Sequence, residues 1–242
     1  MYTVYNNNLL MHGCVPTNKD GTFTNVCIKG SYFCGKKLYD KCNELVKIAF
    51  QNHDKYAIDF LWYLWCGKDS PLFGRDAMKT YETYFLGKNI KEVQNSYYDL
   101  VKNEEFCDKI LNEFDVQGKY CHIINGHVPV QRVAGESPVK CNGKLIIIDG
   151  GFSKAYQSKT GIAGYTLVYN SHGMRLIAHM PFESKESAII NETDIYSDVS
   201  VLETSTKRVL VANTDTGILL ADQIEQLQKL LESYENGTIV EK

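Results

Sequence analysis

The chain has 242 residues, 44% hydrophobic and 23% charged, with 26 basic against 29 acidic side chains and a formal net charge of -3. This is the composition of an ordinary globular protein, and it excludes disorder, collagen-like repeats and a disulfide-dense miniature scaffold. The longest apolar candidate, Ile58 to Trp65, is broken by Asp59 and falls far short of the ~18 to 20 residues that cross a bilayer. A slightly acidic balance without a Lys/Arg block argues against nucleic-acid or membrane partners, while leaving local cations able to hold a small anion.

In chain order, Met1-Tyr2-Thr3-Val4-Tyr5 reads as a strand with neither a basic nor an apolar leader region, an abrupt start that suits a chain truncated at its front. A second apolar run, Leu9-Leu10-Met11, leads through a turn-rich loop to an amphipathic helix with Leu38, Cys42, Leu45, Val46, Ala49 and Phe50 on one face. Asp54 to Trp65 reads as a buried aromatic-rich helix, Asp76 to Phe85 as another, and Glu104 to Phe114 sets Phe106, Ile110, Leu111 and Phe114 together. The span from about 36 to 115 is therefore expected to be helical. Short strand-like runs follow at Cys121 to Ile124, Leu145 to Ile148, Ile162 to Tyr169, Met174 to His179, Val199 to Glu203 and Arg208 to Val211. A last helix, Leu219 to Tyr234, is expected to turn Leu220, Ile224, Leu227, Leu230, Leu231 and Tyr234 inward, with Asn213 to Gly217 capping its start. There is no internal repeat, no linker and no strict βαβ alternation, so the reading is one domain, α/β or α+β, with mixed sheets.

The eight cysteines form no C-x-x-C pair, and several sit among apolar neighbours; buried reduced thiols are the expectation. The sequons at Asn191 and Asn236 read as chance matches. Of six histidines, His12 and His127 share a setting. His12 closes the run Leu9-Leu10-Met11, and His127 follows Ile123-Ile124 through the turn Asn125-Gly126. Residues just past the ends of strands in an open α/β sheet face the crevice where ligands bind, and imidazole is a common metal ligand. A histidine beside glycine is also common with no such role, and spacing alone does not choose. His53, His122, His172 and His179 read as structural or solvent-facing. Two loops, Gly67 to Arg75 and Arg132 to Lys140, combine Ser-Pro turns with cations, as a phosphate site requires and as ordinary turns also do. A third, Asp149 to Gln157, carries Gly150-Gly151, which permits close backbone approach.

Taken in order, Leu10-Met11-His12-Gly13-Cys14, Trp62-Tyr63-Leu64-Trp65-Cys66-Gly67, Ser70-Pro71-Leu72-Phe73-Gly74, Ile124-Asn125-Gly126-His127-Val128-Pro129-Val130, Gly135-Glu136-Ser137-Pro138 and Ile148 to Gln157 resemble the class 3 fructose-1,6-bisphosphatases, of the calcineurin-like metallophosphoesterase superfamily. The likeness continues through Thr160 to Leu167 and the Asp215-Thr216-Gly217 segment. The resemblance implies a mixed-sheet sandwich that is incomplete at its N-terminal side. It implies a binuclear Mn2+ centre with His12 and His127 among the metal ligands. It also implies hydrolysis of fructose 1,6-bisphosphate in gluconeogenesis by a cytoplasmic enzyme. The superfamily motifs D-x-H, G-D-x-x-D-R-G and G-N-H-[DE] do not occur in the chain. The chain accordingly reads as the C-terminal part of such an enzyme, inactive alone, with no catalytic residue assigned. The rivals are another metal-dependent phosphoesterase and a non-catalytic fragment or subunit; a homo-oligomer or a partner carrying the missing half both stay open. For the second phosphate the cations beside the matched loops are Lys154, with Tyr156, then Lys68, Arg75, Arg132 and Lys140.

Overall fold

The computed structural model describes residues 1–118, 120–193 and 196–240. In chain order the strands are β1 (Tyr2–Tyr5), β2 (Asn8–Met11), β3 (Val26–Ile28) and β4 (Ser31–Phe33); then helices α1 (Gly35–Asn52), α2 (Lys55–Cys66), α3 (Lys79–Leu86), α4 (Tyr97–Leu100) and α5 (Glu104–Glu113). They are followed by β5 (His122–Asn125), β6 (Val139–Lys140), β7 (Leu145–Ile147), α6 (Lys154–Thr160), β8 (Gly164–Asn170), β9 (Gly173–His179), α7 (Lys185–Ile190), β10 (Ser197–Thr204) and α8 (Asp215–Glu235). The fold is α/β with a mixed sheet.

That sheet has the order β1-β2-β5-β7-β6. Its middle strands are parallel and in register, Leu9 opposite Ile123 and Ile123 opposite Leu145, while β1 and β6 run antiparallel at the edges. Parallel strands are covered on both faces and so read as unbroken apolar runs, which is what Leu9-Leu10-Met11, Ile123-Ile124 and Leu145-Ile146-Ile147 are. A core of Leu9, Tyr39, Phe114, Ile110, Ile123 and Leu145, each essentially inaccessible, joins the sheet to α1 and α5. Burying each such side chain contributes roughly 1.5 to 3 kcal/mol. Asn103 caps α5 by accepting from the N–H groups of Glu105 and Phe106, and Asp54 caps α2 from Ala57, each cap worth about 1 kcal/mol.

The strands β8 to β10 form a second sheet, with β9 central. Chain contacts divide the molecule into two compact units, Met1–Thr166 with Ile177–Asp198, and Leu167–Leu176 with Val199–Lys242.

The helical character of the 36–115 span holds, in five pieces among the described residues. Several details differ from the sequence reading. Phe50 of α1 is exposed, and α2 is buried only along Ala57, Phe60 and Leu64, with Trp62 and Trp65 more than half open. Twelve residues of helix carrying aromatics on every side exceed what one neighbour can cover, and α1 takes one stripe. Arg208 to Leu210 form no strand, and a short 3-10 turn spans Val211–Asn213. In α8 the residues expected to face inward, Leu220, Ile224, Leu227, Leu230, Leu231 and Tyr234, are all exposed. The cap is as expected: Thr214 accepts from Gly217 N–H at 3.1 Å. All eight cysteines are free, and burial pushes the Cys14 and Cys42 thiols up to about 12, which leaves them inert.

Candidate functional site

Because β2 and β5 are adjacent, parallel and paired Met11 to Asn125, the residues that follow them leave the sheet side by side at its C-terminal edge. The ladder continues one step beyond the strands, with Gly126 N–H donating to His12 O at 3.0 Å. Asn125 is the last residue of β5 rather than part of a turn. Its buried amide donates to Gly13 O at 2.7 Å and to the Tyr97 hydroxyl at 3.3 Å, tying the two strand ends together. His127 then takes a left-handed backbone, φ 67°. A bulky residue at that angle costs on the order of 1 kcal/mol or more and persists where its surroundings hold it.

The result is that His12 Nε2 and His127 Nδ1 lie 3.1 Å apart, although the residues are separated by 115 positions in the chain. The other nitrogen of His127, Nε2, is 2.8 Å from Phe73 O. A carbonyl can only accept, so Nε2 carries the proton and the neutral ring leaves a lone pair on Nδ1, directed toward His12. Burial, and then the nearby His12 and Arg75, hold His127 below the ordinary imidazole range, which favours that neutral form.

The Phe73 carbonyl is delivered by the Gly67 to Gly74 loop. The buried Ser70 hydroxyl donates to Leu64 O at 2.6 Å and accepts from Leu72 N–H. Ser70 therefore builds the turn and is not offered to a phosphate. The same loop presses on Gly13, whose backbone N–H neighbour Cys14 donates to Pro71 O; a Cβ at Gly13 would come within 2.3 Å of that oxygen.

A cavity of about 770 Å³ opens on the histidine pair, lined also by Arg75, Glu92, Tyr156, Trp65, Phe73 and Met78, within the range of small-molecule sites. Of the cations and the tyrosine singled out from the sequence, Arg75 and Tyr156 line it. Arg75 is ion-paired to Glu92. Lys68 and Lys154 are exposed, Lys154 at the first turn of α6. Arg132 is paired with Asp198 at 3.0 Å, and Lys140 with Glu136 at 2.5 Å. Lys140 lines a separate, smaller cavity of about 210 Å³.

Two imidazole nitrogens bound at right angles to one ion at ~2.1 Å would be ~3.0 Å apart, so the pair fits one edge of a metal's coordination shell. Phe73 O sets the tautomer of His127, as carbonyls do for metal-bound histidines. Among the described residues no group of three or more His, Cys, Asp or Glu converges in a metal-binding arrangement. Sequence reasoning missed Asn125, Glu92 and the Phe73 carbonyl. A polar residue closing an otherwise apolar buried run was the available signal for Asn125, since buried amides must be hydrogen-bonded. Nothing in the sequence marks a carbonyl.

The sequence model of a family described as Firmicute fructose-1,6-bisphosphatase matches residues 1–236. The chain is 51% identical to a class 3 fructose-1,6-bisphosphatase of Phocaeicola vulgatus, with 100% of this chain and 37% of that protein covered. For the enzyme of that name from Fusobacterium nucleatum the identity is 49%, covering 99% and 38%, and for that from Enterococcus faecalis 52%, covering 95% and 37%. The match lies in a C-terminal portion of these longer proteins, and the chain spans less than two fifths of their length. No solved structure matches the chain.

Proposed function

The chain belongs to the Firmicute fructose-1,6-bisphosphatase family, and from that premise we propose that it forms part of a metal-dependent phosphatase acting on fructose 1,6-bisphosphate. The observation that carries the reading is the pair of nitrogens at 3.1 Å beyond two parallel strands. In this reading His12 Nε2 and His127 Nδ1 would help to hold a binuclear Mn2+ centre, and the described residues bring no third His, Cys, Asp or Glu to the pair. When bound, the ions supply positive charge against the phosphoryl oxygens as the ester breaks. The chain's own part is to orient two imidazoles: Asn125 fixes the strand ends, and Phe73 O keeps the His127 proton on Nε2. Arg75 and Tyr156, on the wall of the same cavity, are the nearest candidates for the sugar's second phosphate, and Lys154 precedes Tyr156 by half a helical turn. The mixed sheet fits one half of a metallophosphoesterase sandwich. A gluconeogenic role in the cytoplasm accompanies the reading; no helix of the described residues is long and apolar enough to cross a membrane.

A second reading is a non-catalytic fragment or subunit completed by another chain, and the lack of a third converging ligand among the described residues favours it for this polypeptide by itself. One experiment separates them. Phosphate release from fructose 1,6-bisphosphate is measured with added Mn2+, first with this chain and then after adding a polypeptide that carries the three absent motifs. The expected result is no release alone and release when combined, abolished by His12→Ala and by His127→Ala. Release that survives both substitutions would remove the histidine pair from the mechanism.

A further inference from the structure

The cavity holds a feature that the phosphate chemistry leaves unused. Trp65 lines it, yet 55% of the residue remains exposed. A half-open indole on a cavity wall offers its flat apolar surface to a ligand, and Trp contributes most when that surface is covered.

This indole is braced from behind. Trp62 of α2 and Tyr81 of α3 stack face to face, ring centroids 5.6 Å apart with 6° between the planes. Trp65 meets both at right angles, 5.1 Å from Trp62 at 87° and 5.9 Å from Tyr81 at 86°. Two perpendicular aromatic contacts fix the orientation of the ring and leave more than half of the residue's surface uncovered. The neighbouring wall is apolar, with Leu61, Leu64, Phe73 and Met78, while the histidine pair, Tyr156, Thr80 and Arg75, the last ion-paired to Glu92, supply the polar side. A ligand that satisfies both sides has an apolar face and an anionic group on one small body. A sugar ring carrying phosphate has that form: its C–H bonds present an apolar face, and its esters would face Arg75 and the metal that the imidazoles would hold.

We propose that Trp65 is the platform on which the sugar ring of the substrate stacks, so that it selects a cyclic sugar phosphate over an acyclic phosphoester. The inference rests on the sugar-bisphosphatase reading and names the residue that would make that reading specific.

The chain has two tryptophans, so Trp62→Phe leaves Trp65 as the sole indole reporter. Its emission is followed in the full chain with Mn2+ during titration with fructose 1,6-bisphosphate and, separately, with 1,4-butanediol bisphosphate, which has the same phosphates and no ring. The sugar is expected to change the emission saturably, and the acyclic compound to leave it nearly unaltered. Calorimetric titration of Trp65→Ala is expected to show sugar affinity down on the order of tenfold, about 1.4 kcal/mol, with affinity for the acyclic compound unchanged. Trp65→Phe, which keeps an aromatic face, is expected to fall between, and thermal melts identify any variant that does not fold. Equal losses for both ligands, or no loss for either, overturn the proposal while leaving the phosphatase reading in place. Failure of the wild type to bind either bisphosphate, both alone and when combined with the polypeptide that carries the three absent motifs, takes down the phosphatase reading, and this one with it.

Discussion

Helices α5 and α8 carry apolar residues at the same helical spacing and end in opposite environments. In α5, Phe106, Cys107, Ile110 and Leu111 are all under 10% exposed and pack with Phe114 against the parallel sheet. In α8, Leu220, Ile224, Leu227 and Leu231 are 46% to 64% exposed. Periodicity decides which side chains share a face of a helix; whether that face is covered depends on what stands opposite, and spacing carries no information about it. The contrast makes α5 a place where the fold is held and α8 a place where substitution is tolerated.

The comparison breaks or sharpens at graded points. Phe114→Ala should destabilise the chain by about 3 to 5 kcal/mol, read as a shifted denaturant midpoint; a loss below 1 kcal/mol would mean that the α5 interface is not the core it resembles. Next, Asn125→Ala leaves the Gly13 carbonyl unpaired in a buried site, with an expected cost of about 1 to 3 kcal/mol and weaker Mn2+ binding through the loosened strand ends. His127→Gly separates stability from function. Glycine accepts φ 67° without strain, which offsets part of the cost of losing the bond to Phe73 O, so stability should change by less than about 2 kcal/mol while Mn2+ affinity, followed by calorimetry, falls at least on the order of tenfold.

A pH titration of the metal-free chain should show a smaller effect. Burial favours neutral His127 in the folded state, so as pH falls through the ordinary imidazole value of 6.5 the unfolded chain takes up a proton first. Stability is then greatest above that value and declines below it, until the folded protein is protonated too; His127→Gly should remove this part of the slope. Smallest of all, Leu227→Ala in α8 should stay within about 0.5 kcal/mol, and a loss of 2 kcal/mol would show that the helix is covered in solution.

Much of the candidate site is readable from composition and order. Unbroken runs at Leu9 to Met11 and Ile123-Ile124 mark buried parallel strands, and each leads to a histidine within three residues. What a single strand cannot disclose is its neighbour. Pairing of β2 with β5, rather than with β3 or β7, is what brings His12 against His127, and it depends on three-dimensional packing of everything between them. The cations were harder for a related reason. Arg75, Arg132 and Lys140 look equivalent in loops, but a nearby carboxylate engages each one, and only Arg75 of these three shares the large cavity with the histidines. Ser70 closes a reading that order alone left open, since a hydroxyl in a loop beside cations suits a phosphate site and an ordinary turn alike, and its bond to Leu64 O makes it part of the scaffold.

Joining β2 to β5 requires closing a loop of 115 residues between the two imidazoles, and loop closure grows costlier with length while local helices form in microseconds or less. The intervening helices should therefore appear early in refolding and the paired imidazoles late, in the slow phase typical of distant strand pairing. Metal added at the start of refolding would meet no site until that phase, so its uptake should track the last kinetic step rather than the gain of helical signal.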